Sequence, residues 1–121
     1  MARILIVDDS PSQLLGMKRI VEKLGHEIVT AEDGASGVEV AKSTMPDLIL
    51  MDVVMPNLNG FQATRTISKN AETAHIPIIL VTTKDQETDR VWGMRQGAKA
   101  YVTKPVKEDE LVATLQGLLP A

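Results

Sequence analysis

The chain has 121 residues, a formal net charge of −3 and no cysteine. This length allows one domain with a buried core, and the lack of cysteine excludes disulfides and thiolate metal sites. The negative charge argues against a nucleic acid partner, because phosphate binding favours a basic surface. Its apolar runs are too short to cross a membrane, and its first residues do not resemble a signal peptide. We therefore expect a cytoplasmic protein without membrane insertion.

Short apolar runs alternate with amphipathic stretches along the whole chain. Branched residues predict a strand at 3–7, and helically spaced apolar residues predict a helix over 10–25, beginning at Ser10–Pro11 and ending at Gly25. Four more pairs of strand and helix are predicted, at 26–31 and 35–43, 48–52 and 60–70, 76–83 and 87–97, and 100–103 and 108–119.

The fourth predicted helix carries the only tryptophan of the chain. Its spacing indicates that Val91, Met94 and the stem of Arg95 face inward, which leaves Trp92 half exposed. A half-exposed tryptophan is more often part of a packed rim than of a binding hot spot.

Five successive strand–helix pairs predict a parallel sheet with right-handed crossovers. Continuous apolar strands fit a sheet that helices cover on both faces. We therefore predict a doubly wound α/β fold, with a single domain over residues 1–121. The order 2-1-3-4-5 is common for five such strands, although the sequence alone does not determine it.

Polar side chains stand where the predicted strands end. Asp8 and Asp9 follow the first strand, Asp52 ends the third, Thr82 lies at the end of the fourth, and Lys104 follows the fifth. In an open α/β sheet these ends share one edge, where ligands bind. Each residue alone has a plainer interpretation: acids at strand ends cap helices or meet solvent, and a misplaced strand boundary would explain Asp52. Their occurrence on one edge favours a common site.

The residue types at this edge suit phosphoryl chemistry. A buried, unpaired carboxylate is costly, and three together repel one another unless a cation lies among them. Oxygen ligands without histidine or cysteine favour Mg²⁺. Lys104 adds a positive charge and Thr82 a hydroxyl group. Phosphoryl transfer depends mostly on positioning and charge neutralisation, which this set provides.

Five segments in this order, "ILIVDDS", "LILMDVVMP", "NG", "ILVTT" and "YVTKP", resemble the receiver domain of bacterial two-component response regulators. The resemblance covers essentially the whole chain and implies the flavodoxin-like receiver fold. It implies that Asp52 is the phosphoacceptor. It also implies a Mg²⁺ site in which Asp9 and Asp52 are direct ligands, Asp8 acts through water and the Val54 carbonyl completes the protein ligands.

The same resemblance assigns the remaining residues of the site. Thr82 is expected to hydrogen-bond the bound phosphoryl group, and Lys104 to neutralise one of its oxygens. Tyr101 is expected to rotate inward with Thr82 as an aromatic switch, and the Lys104–Pro105 peptide bond is expected to be cis.

The resemblance also implies partners. The phosphoryl group would come from a chemotaxis-type histidine kinase or its phosphotransfer domain. A downstream protein would bind the face made by the fourth helix, fifth strand and fifth helix. The chain would be a monomer and not an enzyme, although it assists its own phosphotransfer and dephosphorylation. "NGFQATR" and "TTKDQETDRVWGMRQGA" resemble stand-alone receivers that control type IV pilus twitching motility.

Other functions stay open at this point. The chain could be a general chemotaxis-type receiver, a phosphate sink for a shared kinase, or a pseudo-receiver that works without phosphorylation. An aspartate-nucleophile phosphohydrolase would place its nucleophile after the first strand, and a flavin-binding domain would need a phosphate loop. The "GASG" stretch at 34–37 predicts a helix start and not such a loop. No output module is expected after the last helix, so we expect the signal to leave through the surface of the domain itself.

Overall fold

Ten elements alternate along the chain in the computed structural model, which describes residues 1–119. Pro120 and Ala121, which the predicted domain includes, lie outside the described residues. No described helix is both long and apolar enough to span a membrane. The elements are β1 Arg3–Val7, α1 Pro11–Lys23, β2 Glu27–Ala31, α2 Gly34–Thr44, β3 Leu48–Met51, α3 Gly60–Lys69, β4 Ile78–Thr82, α4 Glu87–Arg95, β5 Ala100–Thr103 and α5 Glu108–Leu118.

The five strands form one parallel sheet in the order β2-β1-β3-β4-β5, which confirms the predicted fold class and strand order. Successive side chains along a strand point to opposite faces, so each central strand contributes to two cores. Leu5 and Ile49 pack on the face covered by α2 and α3, whereas Ile4 and Leu50 pack on the face covered by α1 and α5. Coverage on both faces explains why the central strands are continuously apolar.

Strand β3 and helix α1 both end earlier than predicted. β3 ends at Met51, so Asp52 lies just past the strand and not within it. α1 ends at Lys23, and Gly25 follows its cap with a φ of +83°, a conformation in which glycine is favoured. Ser10 occupies the N-cap position of α1 as predicted, but its side chain makes no capping hydrogen bond.

The predicted inward stripe of α4 is wrong. Val91 is 43% exposed, Met94 is 39% exposed and Arg95 is also exposed. Trp92 is 51% exposed, which confirms that part of the prediction. The buried residue of this helix is Gly93.

The reason lies in how closely α4 approaches the sheet. A Cβ atom added at Gly93 would lie 2.6 Å from Leu80 Cδ1 and 3.3 Å from Tyr101 Cδ2. The helix backbone itself therefore packs against the sheet at a residue that apolar periodicity does not detect. As a result α4 turns its large apolar side chains outward.

Candidate functional site

Three carboxylates meet at the edge of the sheet where β1 and β3 end. Strand pairing places Val7 opposite Met51, so the residues that follow these two strands are neighbours. One oxygen from each of Asp8, Asp9 and Asp52 lies within 4.8 Å of the other two. Asp8 and Asp52 are buried and Asp9 is exposed. The structure thus brings together the three acids that the sequence placed at strand ends.

Lys104 completes the charged cluster. Its Nζ lies 2.8 Å from Asp8 Oδ2 and 3.5 Å from Asp52 Oδ2. The backbone N–H of Lys104 donates to the carbonyl of Thr82, which fixes the start of the segment after β5 against the end of β4. The Lys104–Pro105 peptide bond is cis, as expected. A single ammonium group cannot balance three carboxylates, so the cluster keeps an excess of negative charge.

Backbone hydrogen bonds orient the two buried carboxylates. Asp8 Oδ1 accepts from the N–H of Ser10 at 2.9 Å, and Asp52 Oδ1 accepts from the N–H of Val53 at 2.7 Å. Burial raises the pKa of the Asp52 carboxyl, and the charge of Asp8 raises it further. Lys104 and the backbone N–H groups oppose this rise in the pKa. The surroundings of Asp52 therefore favour a cation beside it.

The donor set fits a small divalent cation. All three converging side chains offer carboxylate oxygens, the ligands that Mg²⁺ prefers, and the exposed Asp9 leaves the cluster open to solvent. The fourth predicted ligand, the Val54 carbonyl, belongs to the loop that follows Asp52, and the Val54 side chain is 54% exposed.

The two predicted switch residues, Thr82 and Tyr101, share a partner. Thr82 ends β4, is buried, and its hydroxyl oxygen accepts from the N–H of Lys84 at 3.2 Å. The Tyr101 hydroxyl donates to the carbonyl of Lys84 at 2.7 Å. Burial, followed by the charges of Asp89 and Asp85, raises the pKa of Tyr101 to about 12.

Two features of the site were not predicted. The backbone of Lys84 joins Thr82 to Tyr101, and no side-chain pattern in the sequence signals such a contact. Gly60 packs against the chain at Asp52, because an added Cβ would lie 2.7 Å from Val53 Cα. The sequence signals Gly60 through the "NG" segment of the family resemblance and through its place after Asn59, whose side chain and that of Gln62 form a capping box at the start of α3, but neither signal predicts this contact.

The chain matches known proteins over nearly its whole length. Residues 4–116 match the family described as the response regulator receiver domain. The chain belongs to this family. This receiver domain is 58% identical over 119 residues to protein PilH of Pseudomonas aeruginosa, a match that covers 98% of each chain.

Solved structures place the receiver domain among close relatives in fold. Chemotaxis protein CheY4 of Vibrio cholerae matches with a TM-score of 0.91 and 31% identity, over 98% of this chain and 99% of that one. The receiver domain of a sensor histidine kinase from Pseudomonas aeruginosa, solved with a magnesium ion coordinated in its active site cleft, matches with a TM-score of 0.89 and 32% identity, over 97% and 96% of the two chains.

Proposed function

We propose that this receiver domain is a phosphorylation-dependent signalling protein in which Asp52 accepts a phosphoryl group from a histidine kinase or its phosphotransfer domain. The observation that carries the proposal is the convergence of Asp8, Asp9, Asp52 and Lys104 at one edge of the sheet. This set combines a nucleophile, a place for a divalent cation and a positive charge. The magnesium ion in the related histidine kinase receiver supports Mg²⁺ as the cation.

In the proposed reaction an oxygen of Asp52 attacks phosphorus, and the bond between phosphorus and the donor imidazole breaks as the new O–P bond forms. The donor histidine leaves with the electron pair of the broken bond. Lys104 neutralises a phosphoryl oxygen and Thr82 donates a hydrogen bond to another. Asp9, Asp52 and the Val54 carbonyl would hold Mg²⁺, with Asp8 acting through water, and the ion would supply positive charge to offset the negative charge shared by carboxylate and phosphate.

The contacts of Lys84 suggest how the phosphoryl group changes the surface. If the Thr82 hydroxyl turns to the phosphoryl group, it gives up the N–H of Lys84. The Tyr101 hydroxyl bonds to the carbonyl of the same residue, so loosening this segment frees Tyr101 to move into the space that Thr82 leaves. The Tyr101 ring packs near Gly93, the buried residue of α4. We propose that α4, β5 and α5 repack and form the face that binds a downstream protein.

Tyr101→Ala is expected to weaken binding of the downstream protein about tenfold, because it removes an aromatic side chain from the proposed face. Phosphorylation of Asp52 should stay near normal, since the Tyr101 hydroxyl bonds to the carbonyl of Lys84 and Tyr101 supplies no group to the cation site. Hydrogen exchange of the native protein should change on phosphorylation mainly within residues 83–106. Tyr101→Phe is the matched control, because it removes only the hydroxyl bond to Lys84. If the changes in hydrogen exchange are confined to α1 and Tyr101→Ala does not weaken partner binding, the output face lies elsewhere.

Val54→Asn is expected to speed self-dephosphorylation. In the receiver family the side chains two positions past the phosphoacceptor and two past the threonine, here Val54 and Lys84, flank the attacking water. Valine cannot orient that water by hydrogen bonding, whereas asparagine can. One hydrogen bond corresponds to roughly a two- to tenfold change in rate. Loss of labelled phosphate from the two purified phosphoproteins measures it, and equal or slower loss from Val54→Asn would mean that Lys84 dominates.

The proposal is tested by incubating the purified protein with Mg²⁺ and a small acyl phosphate. We expect one phosphoryl group per chain, in an adduct that is stable to acid and labile to base. A chelator should prevent its formation, because the carboxylate cluster then lacks its cation. No adduct at saturating Mg²⁺ would support the pseudo-receiver alternative.

The similarity to PilH supports a role in type IV pilus twitching motility. We propose that the domain acts there as a cytoplasmic monomer. The similarity to a chemotaxis protein leaves a chemotaxis-type receiver or a phosphate sink as the alternative. Phosphotransfer from each candidate kinase of the source organism distinguishes them. A regulator should hold the phosphoryl group and gain a partner, whereas a sink should drain the kinase and gain none.

A further inference from the structure

The loop between β3 and α3, residues 52–59, carries two groups of the proposed cation site, Asp52 and the Val54 carbonyl. One end of this loop is fixed by α3, since the N–H of Gly60 donates to the Val53 carbonyl at 2.9 Å. The rest has little regular structure, and Asn57 has a φ of +65°. Met55 is buried in the hydrophobic core, so the place of the backbone from 56 to 58 depends on the contacts of Leu58.

Gly34, the first residue of α2, lies against this loop. A Cβ atom added at Gly34 would clash with the carbonyl oxygen of Leu58 and would lie 2.8 Å from its carbonyl carbon. The two nearest atoms belong to the backbone and the third is Leu58 Cβ at 3.1 Å, so no side-chain rotation can relieve the clash. Leu58 also packs its side chain against the hydrophobic core. The α2 backbone and this core contact thus hold the loop from two sides.

α2 cannot easily move away to make room. Its N-terminus is capped by Asp33, whose side chain accepts from the N–H of Ser36 at 2.7 Å. One turn later a Cβ at Gly37 would lie 3.0 Å from Val7 Cγ2, so the helix backbone already lies against β1. A side chain at position 34 would therefore displace the loop and not the helix.

We propose that Gly34 is a positioning residue for the cation site: its lack of a side chain lets α2 hold the β3–α3 loop where the Val54 carbonyl and Asp52 share one cation. The inference rests on the proposed function, because it assumes that these groups bind Mg²⁺. The proposal assigns a role to the first glycine of the "GASG" stretch, for which the sequence predicts only a helix start. Mutation of the residues that position metal ligands typically lowers metal affinity about 10- to 100-fold.

The test is a titration of purified Gly34→Ala with Mg²⁺, in which binding is monitored by calorimetry and by amide chemical shifts. We expect Kd for Mg²⁺ to rise about tenfold. Amide shifts of residues 53–59 should differ from those of the native chain before any metal is added. The Mg²⁺ concentration for half-maximal phosphorylation should rise by the same factor, and saturating Mg²⁺ should restore the native rate. A Kd equal to that of the native chain would overturn the proposal.

Two controls separate positioning from general loss of stability. Gly117→Ala adds the same methyl group to a helix where nothing lies within 4 Å of it, and should leave Kd unchanged. Ile67→Val removes a core methylene in α3, and should lower stability without changing Kd. If Ile67→Val weakens Mg²⁺ binding as much as Gly34→Ala does, the effect is one of stability and the proposal fails.

A further variant keeps the test decisive if Gly34→Ala does not fold. Leu58→Ala keeps the carbonyl that faces Gly34 but removes the core contact of the loop, and should also raise Kd for Mg²⁺. An unchanged Kd in Leu58→Ala would overturn the proposal. If the native chain binds no Mg²⁺, the proposed function fails as well. If the native chain binds Mg²⁺ and the variants bind it with the same Kd, only the role of Gly34 fails.

Discussion

Asp52→Asn is expected to abolish phosphorylation by a small acyl phosphate and by a kinase. The asparagine amide is not a nucleophile, and the neighbouring buried carboxylate, Asp8, is already bound to Lys104 and Ser10. The native protein should carry one phosphoryl group per chain and the variant none, as measured by intact-protein mass spectrometry in the presence of Mg²⁺. The fold should be kept, since asparagine fills the same volume.

Asp47→Asn is the matched control for this experiment. Asp47 is exposed and lies just before β3, whereas Asp52 lies just after it, so the two positions stand at opposite ends of one strand. The control should be phosphorylated normally. A stable adduct that persists in Asp52→Asn at the native level would place the phosphoacceptor at another residue.

Lys104→Met should cause a large loss of stability in the metal-free protein. The side chains of Lys104 and Asp8 are 8% and 0% exposed, and their 2.8 Å contact is a buried ion pair. Removing one partner of such a pair leaves an uncompensated buried charge, which costs about 3–5 kcal/mol. Urea unfolding at neutral pH with a chelator present measures the change. Mg²⁺ should restore part of the loss, because a cation among the carboxylates replaces the missing positive charge.

Lys69→Met provides the comparison, since Lys69 is an exposed lysine in the last turn of α3. Its replacement should change the free energy of unfolding by less than about 0.5 kcal/mol. A similarly small change in Lys104→Met would mean that water and local rearrangement already screen Asp8 and Asp52. The charged cluster would then be less dry than its burial indicates.

Much of the fold follows from local pattern. Apolar runs and helical spacing predict all five strands and five helices, because each element must present an apolar face to be covered. The number of strand–helix pairs then requires a parallel sheet. The acids and the lysine could be assigned to one site because parallel strands all end at the same edge.

Local pattern fails where a helix backbone packs directly against the side chains of the sheet. In α4 the apolar residues Val91 and Met94 imply an inward face, yet Gly93 faces inward because the helix lies close to Leu80 and Tyr101. The spacing of apolar residues predicts which side chains are buried. It does not show where a missing side chain lets a helix backbone approach the side chains of the sheet.

The sequence by itself determined the alternation of strands and helices and the set of residues that can handle phosphate, because both depend on residue type and spacing. Only the tertiary structure decided the strand order, the 2.8 Å contact between Lys104 and Asp8, and the shared bonding of Thr82 and Tyr101 to Lys84. The contact of Gly34 with the Leu58 backbone belongs to the same group. These features depend on contacts between residues that are distant in sequence, or on main-chain atoms that every residue has. Residue type therefore does not predict them.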